Sequence, residues 1–129
     1  MTLGAYDAER GMFLRFRDYH HDIAIFKTSP DADLPKDHQV GLVHVALLVD
    51  GLDTVKAWYQ RCKSHAVPVL GVIDHAVTNS FYIRDPEGNV LEIYCDMPDY
   101  DWRTNGMGFI VRPLELEPAP AASTERATR

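Results

Sequence analysis

The feature that most constrains the fold and function of this chain is a pair of polar side chains, each inside an apolar run typical of a β-strand. His44 lies within residues 41–49 and Glu92 within residues 89–95. Burying an imidazole and a carboxylate in apolar strands costs free energy unless a partner compensates them. Because His and carboxylate are common ligands of transition metals, the pair predicts a metal ion between the two strands. A satisfied core histidine and a solvated strand glutamate are the structural alternatives.

Length and charge bound the remaining possibilities. A chain of 129 residues is typical of one domain with its own core. The net charge of −6 argues against nucleic acid as a partner. No apolar run approaches the roughly 20 residues that a membrane span needs. Two cysteines without a CxxC spacing, and no signal-peptide pattern at the start, predict a cytoplasmic protein with reduced thiols.

The second half of the chain predicts a β-α-β-β-β order. The first strand is residues 41–49, and the helix covers residues 52–66 because its apolar positions recur at helical spacing. Asp53 or Thr54 is the candidate for the helix N-terminus. Three more strands are predicted near residues 69–75, 79–84 and 89–95. A turn at residues 85–89 joins the last two.

The first half predicts only the β-β-β end of such a unit. Strands are expected from Leu3, at residues 12–17 and at residues 20–26, and a polar linker with two prolines follows at residues 28–40. A strand and a helix are missing from its front, because a unit of that kind needs roughly 30 residues and the sequence has too few before its first strands.

These elements predict one domain over residues 1–113. It comprises a partial first module at residues 3–27 and a complete second module at residues 41–96. Trp102 and Phe109 indicate that the segment after the last strand still packs. Residues 114–129 have the composition of a disordered tail.

Other residues could add chemistry beside the metal. His20 and His21 are adjacent in a predicted strand, so one of them points inward and could transfer a proton. His75 and Tyr82 could hydrogen-bond a phenolic or enolic oxygen near the metal. The alternatives are a surface pair for the two histidines and ordinary packing for Tyr82. The chain lacks GxSxG, P-loop and GxGxxG motifs, which argues against a serine nucleophile and a nucleotide site.

Three segments carry a resemblance to a known family. They are residues 41–46, residues 74–94 and residues 19–26. The chain resembles the vicinal oxygen chelate superfamily, which includes glyoxalase I, bleomycin-resistance proteins and extradiol dioxygenases. The resemblance implies an α+β fold of paired βαβββ modules, the first of them incomplete. The His-His run, His75 and Tyr82 make the catalytic domain of extradiol (catechol 2,3-) dioxygenases the nearest likeness.

The resemblance also implies roles for individual residues. His44 and Glu92 would ligate Fe(II), with Mn(II), Ni(II) or Zn(II) as alternatives. His21 would be the acid/base residue beside the oxygen site, and His75 and Tyr82 would bind the substrate oxygens. The reaction implied is opening of a small aromatic diol by O2, because a metal acidifies the diol and holds both reactants. The strand missing from the first module would leave an open sheet edge, which favours self-association and predicts a homodimer.

One departure from the family pattern leaves alternatives open. The family has a first ligand, a His, on the opening strand of the first module, and residues 1–10 contain no matching His. The chain could be a truncated dioxygenase, could be completed by a partner chain, or could have lost its metal. A non-catalytic domain that sequesters a small molecule is therefore the competing function, and a glyoxalase-type metal isomerase is the third.

Overall fold

The structure is a computed structural model that describes residues 2–34, 36, 38–106 and 110–117. The chain divides into two compact units, Met1–Leu34 and Pro35–Arg129. Within the described residues, no helix is long and apolar enough to cross a membrane.

The first unit is a three-stranded antiparallel sheet of β1 (Thr2–Asp7), β2 (Gly11–Arg15) and β3 (Ile23–Phe26), paired in the order β1-β2-β3. The turn between β1 and β2 forms because the Asp7 carboxylate accepts hydrogen bonds from the two backbone amides that follow at residues 9 and 10. Gly11 is required at its end, since a Cβ there would lie 2.0 Å from the Ile25 carbonyl oxygen. The β-β-β order expected for the first half is confirmed.

The strand expected over residues 20–26 is shorter in the structure than the sequence pattern predicted. β3 begins only at Ile23, so His20 and His21 lie in the loop between β2 and β3, and their placement in a strand was wrong. The cause is local: the Asp22 carboxylate accepts a hydrogen bond from the Phe16 amide at 2.8 Å. That contact curls the chain before the strand ladder can start.

The second unit contains the complete module. In chain order it comprises β4 (Val45–Leu48), α1 (Leu52–Ser64), β5 (Val69–Asp74), β6 (Thr78–Arg84), β7 (Val90–Asp96), α2 (Trp102–Asn105) and β8 (Arg112–Pro113). The sheet order is β4-β7-β6-β5-β8, with β4 parallel to β7 and the other neighbours antiparallel. A parallel pair needs a crossover connection, which α1 provides. The α+β class and the βαβββ order are therefore confirmed.

The core of this unit lies between α1 and one face of the sheet. Val55, Tyr59 and Cys62 are buried along the helix, and they pack against Phe81 and Ile93 of the sheet. Their spacing is that of one helical face, as the sequence pattern indicated. Trp58 does not share that face and is 46% exposed. The helix begins after Gly51, which makes no side-chain cap; Asp53 lies in its first turn.

The segment after β8 is part of the same core. Leu116 is 3% exposed within the core cluster, and Leu114 packs against that cluster. The predicted disordered tail was therefore wrong for residues 114–117, because two leucines at alternate positions fit the apolar face next to α1. Residues 118–129, and Phe109, lie outside the described residues. We call residues 110–117 the C-terminal strap.

Candidate functional site

A cavity of about 550 Å³ lies against the five-stranded sheet. Side chains alternate along β6 and β7, so Phe81 and Ile93 enter the core with α1, while Tyr82 and Glu92 point to the other face. Tyr82 and Glu92 are direct partners in the β6–β7 ladder. The cavity is lined by His44, Ala46, His75, Val77, Thr78, Tyr82, Glu92, Tyr94, Asp96 and Trp102.

Glu92 is the centre of the polar contacts in this cavity. The residue is 7% exposed, and its carboxylate accepts a hydrogen bond from Tyr82 Oη at 2.7 Å. Its second oxygen lies 3.1 Å from His44 Nε2. A buried carboxylate needs such partners, because removing it from water is otherwise costly. Glu92 is therefore not a solvated strand residue.

His44 reaches this carboxylate from just outside the sheet. The ladder with β7 begins at Val45, so the predicted strand over residues 41–49 is shorter than expected and His44 directly precedes it. Leu42 and Val43 are 87% and 82% exposed, so the first part of that run makes no core. The His44 side chain is 34% exposed, and its ring meets the Tyr82 ring edge-on.

His75 enters the cavity from the turn between β5 and β6. It was expected at the end of a strand, but β5 ends at Asp74. The Asp74 carboxylate accepts a hydrogen bond from the Ala76 amide at 2.6 Å, and Ala76 has a φ of 67°. This tight turn aims the imidazole at Tyr82, whose Oη lies 3.0 Å from His75 Nε2.

The protons in this network can be counted. The backbone oxygen of Ile110 lies 2.6 Å from His75 Nδ1, and a carbonyl can only accept, so Nδ1 carries a proton. Tyr82 has one hydroxyl proton, which His75 and Glu92 both contact. Burial and the Glu92 hydrogen bond raise the pKa of Tyr82 to about 12. Tyr82 is therefore a hydrogen-bond donor at neutral pH.

The structure brings four of the five predicted site residues together: His44, Glu92, His75 and Tyr82 share the cavity. His21 belongs to the first unit, where its ring lies 4.8 Å from that of Phe13. Its Nδ1 is 2.6 Å from Nδ1 of His20.

Sequence reasoning missed several lining residues. Asp96 follows Glu92 and Tyr94 at a spacing of two, so strand alternation could have identified it as a lining residue. Burial, followed by Asp96 and Glu92, raises the pKa of Tyr94. Trp102 was expected to pack, and it lines the cavity from α2. The Ile110 carbonyl is a backbone group and has no sequence signal.

The donor set fits a metal ion in part. His44 and Glu92 could both ligate one ion, because their donor atoms already converge. Within the part of the chain that the structure describes, no group of three or more His, Cys, Asp or Glu side chains is arranged to hold a metal.

The family is shown by comparison with known proteins. Residues 2–93 match the model of the Glyoxalase/Bleomycin resistance protein/Dioxygenase superfamily. The match covers most of both units, and the chain belongs to this superfamily.

Individual relatives agree with that assignment. The chain is 32% identical over 87 residues to a catechol-2,3-dioxygenase of Bacillus subtilis (strain 168), which covers 67% of this chain and 30% of that protein. It is 30% identical to biphenyl-2,3-diol 1,2-dioxygenase 3 of Rhodococcus globerulus, covering 92% of this chain and 70% of the relative. The chain thus spans less than a third of the length of the Bacillus protein.

A solved structure shares the fold. The glyoxalase/bleomycin resistance protein/dioxygenase from Alicyclobacillus acidocaldarius superimposes with a TM-score of 0.55 at 14% identity. The match covers 75% of this chain and 74% of that chain. At this identity the likeness concerns the fold alone.

Proposed function

We propose that this chain is an extradiol-type ring-cleavage dioxygenase that opens a small aromatic diol with O2 at a mononuclear Fe(II). The observation that carries the proposal is the continuous contact chain His44–Glu92–Tyr82–His75 along one cavity. Relatives named for catechol and biphenyl-diol dioxygenation support the substrate class.

His44 and Glu92 would hold the metal. Such an ion supplies Lewis-acid activation of the diol and a template for both reactants. Because the described residues offer two ligands, we propose that a second copy of the chain supplies the third in a homodimer. The two thiols, whose pKa values burial raises, remain protonated and take no part.

His75 and Tyr82 would bind and orient the diol. Its high pKa keeps the Tyr82 phenol protonated, and its one proton would be donated to a substrate oxygen in place of the Glu92 carboxylate that accepts it here. His75 Nε2 points at the same position and can accept a substrate hydroxyl proton. The apolar part of the lining, with Val77 and Trp102, suits an aromatic ring.

We propose His21 as an acid/base residue of the reaction. Two Nδ1 atoms at 2.6 Å need a proton between them, so His20 and His21 share one. His21→Ala should then keep metal but lose turnover.

The proposal is tested by O2 uptake and ring-opened product absorbance with catechol and 2,3-dihydroxybiphenyl. The protein is reconstituted anaerobically with Fe(II), and separately with Mn(II), Ni(II) and Zn(II). Tyr82→Phe and His75→Gln should lower kcat by about a hundredfold, the scale of lost acid–base catalysis. His38→Ala, an exposed linker residue, should match the parent protein. Absence of O2 uptake with every diol and metal contradicts the proposal.

A second candidate function is supported by the incomplete ligand set. In that case the cavity binds a small aromatic molecule without converting it. The same diols should then quench Trp102 fluorescence in a Trp58→Phe background, with equal affinity with and without metal. His21→Ala would change affinity at most.

A further inference from the structure

One wall of the cavity depends on a backbone contact from a distant segment. His75 Nδ1 meets the Ile110 carbonyl at 2.6 Å, so this nitrogen keeps its proton. In a neutral imidazole the other nitrogen is then the acceptor. His75 Nε2 therefore presents its lone pair to the cavity, next to Tyr82 Oη.

The Ile110 carbonyl is positioned by the C-terminal strap (residues 110–117). Its strand, β8, pairs with β5 over only two residues, Pro113 opposite Ile73 and Arg112 opposite Asp74. Pro113 has no backbone N–H to donate. The ion pair between Arg112 and Asp74 is long, at 4.0 Å, and its two side chains are 61% and 29% exposed. These contacts alone hold the segment weakly.

The firm attachment of the strap lies at its other end. Leu116 is 3% exposed in the core cluster with α1. The Glu117 carboxylate accepts hydrogen bonds from Tyr59 Oη at 3.0 Å and Gln60 at 3.3 Å, and it pairs with Lys63. All three partners belong to α1, so the strap passes from the cavity, along the β5 edge, to the helix face of the sheet.

We infer that the C-terminal strap is a positioning device: Leu116 and Glu117, anchored on α1, hold the Ile110 carbonyl against His75 and thereby fix its imidazole with Nδ1 protonated and Nε2 facing the cavity. The catalytic consequence rests on the proposed function. The placement of the proton does not, because it follows from the contacts alone.

The placement of the proton can be measured without turnover. Long-range proton–nitrogen NMR spectra of the metal-free chain report which imidazole nitrogens are protonated, and His75→Gln assigns the His75 signals among the six histidines. The neutral His75 should carry its proton on Nδ1, which faces the Ile110 carbonyl. A neutral His75 with its proton on Nε2 would overturn the inference.

Substitutions in the strap test the anchor. Leu116→Ala should release the ring into a mixture of both tautomers, and Leu116→Met, which conserves volume, should restore the single one. Glu117→Ala and Lys63→Met leave the core intact and should give a smaller fraction of His75 with its proton on Nε2. Glu115→Ala changes an exposed carboxylate in the same strap and should give the parent spectrum. Parent spectra for both Leu116→Ala and Glu117→Ala would refute the anchor.

Turnover separates this inference from the proposed function. With active enzyme, Leu116→Ala should lower kcat about tenfold at nearly unchanged KM, as expected for a misplaced proton acceptor. Leu116→Met should recover the rate. If no diol is turned over, the proposed function fails while the NMR result still decides the role of the strap.

Discussion

The two faces of the second unit's sheet differ in chemistry, one apolar and one polar, although neighbouring residues of the same strands contribute to both. Phe81 is fully buried against Tyr59 on the α1 face, while Tyr82 opens onto the cavity. Glu92 serves the cavity and Ile93 the core. One face gains stability by apolar burial. The other holds a carboxylate, a phenol and two imidazoles that contact one another along the cavity.

The largest expected effect separates these two faces. Phe81→Ala should cost about 3–5 kcal/mol of unfolding free energy, because it removes a fully buried ring next to α1. Tyr82→Phe, one residue away, should cost only about 1 kcal/mol. Urea denaturation of both variants measures the difference. Equal losses would show that the cavity face is as structural as the core face.

A double-mutant cycle sharpens the comparison within the cavity. Glu92→Ala should cost about 1–3 kcal/mol, since it leaves the Tyr82 hydroxyl and His44 without their shared partner. Combined with Tyr82→Phe, the pair should show a coupling energy of about 1–2 kcal/mol. Tyr82→Phe combined with Glu115→Ala is the control and should be additive. Additivity in the first pair would mean that the network does not act as a unit.

The sequence predicted the positions of side chains well inside hydrogen-bonded strands and less well at the ends of those strands. Tyr82 and Glu92 lie in seven-residue strands, where alternation of side chains places them reliably on one face. His44, His75 and His21 lie at or beyond strand ends. Periodicity does not report where a ladder stops, because a side-chain contact such as that of Asp22, or the left-handed backbone at Ala76, ends it.

The strap shows a second limit of sequence reasoning. A proline- and alanine-rich composition predicted disorder from residue 114, yet Leu116 is buried. Two leucines in a polar segment are too short a pattern to predict packing, since only the tertiary fold shows the space that they fill. The hydrogen bond that His75 donates to Ile110 ends on a backbone oxygen, which any residue could provide.

A smaller effect is expected in the two turns that flank β5, one before the strand and one after it. Ala66, after α1, has a φ of 56° and its neighbours make the two hydrogen bonds of a Schellman motif, Ala66 to Lys63 and Val67 to Cys62. Ala66→Gly should therefore stabilise the fold by about 0.5–1 kcal/mol.

Ala76, in the cavity turn, has a φ of 67° and is equally strained. Ala76→Gly should gain a similar free energy, but it should also loosen His75 and lower turnover, which Ala66→Gly should not. Thermal melts and kcat measured on both variants check this. Loss of turnover in both would show that the effect does not come from the cavity turn.

The smallest expected effect is the pH dependence of stability. The hydrogen bonds that Glu117 makes with Lys63, and then with Gln60 and Tyr59, hold the pKa of its carboxyl group below the usual value. A depressed pKa contributes stability above the unfolded pKa, about 4.3, and this stability is lost as the pH falls through the folded pKa. Glu117→Gln should therefore lower the urea midpoint at neutral pH and converge with the parent protein in acid. A constant difference at all pH values would exclude the ionised carboxylate as the cause.

We propose that His44 and Glu92 together form a divalent metal site on the cavity face. The most direct test of this proposal is metal content after anaerobic reconstitution with Fe(II) and desalting, for the parent protein, His44→Ala, Glu92→Ala and the control His38→Ala. The account predicts about one iron per chain in the parent and control, and a loss of most of it in both other variants. Equal iron in His44→Ala, Glu92→Ala and the parent protein would contradict it.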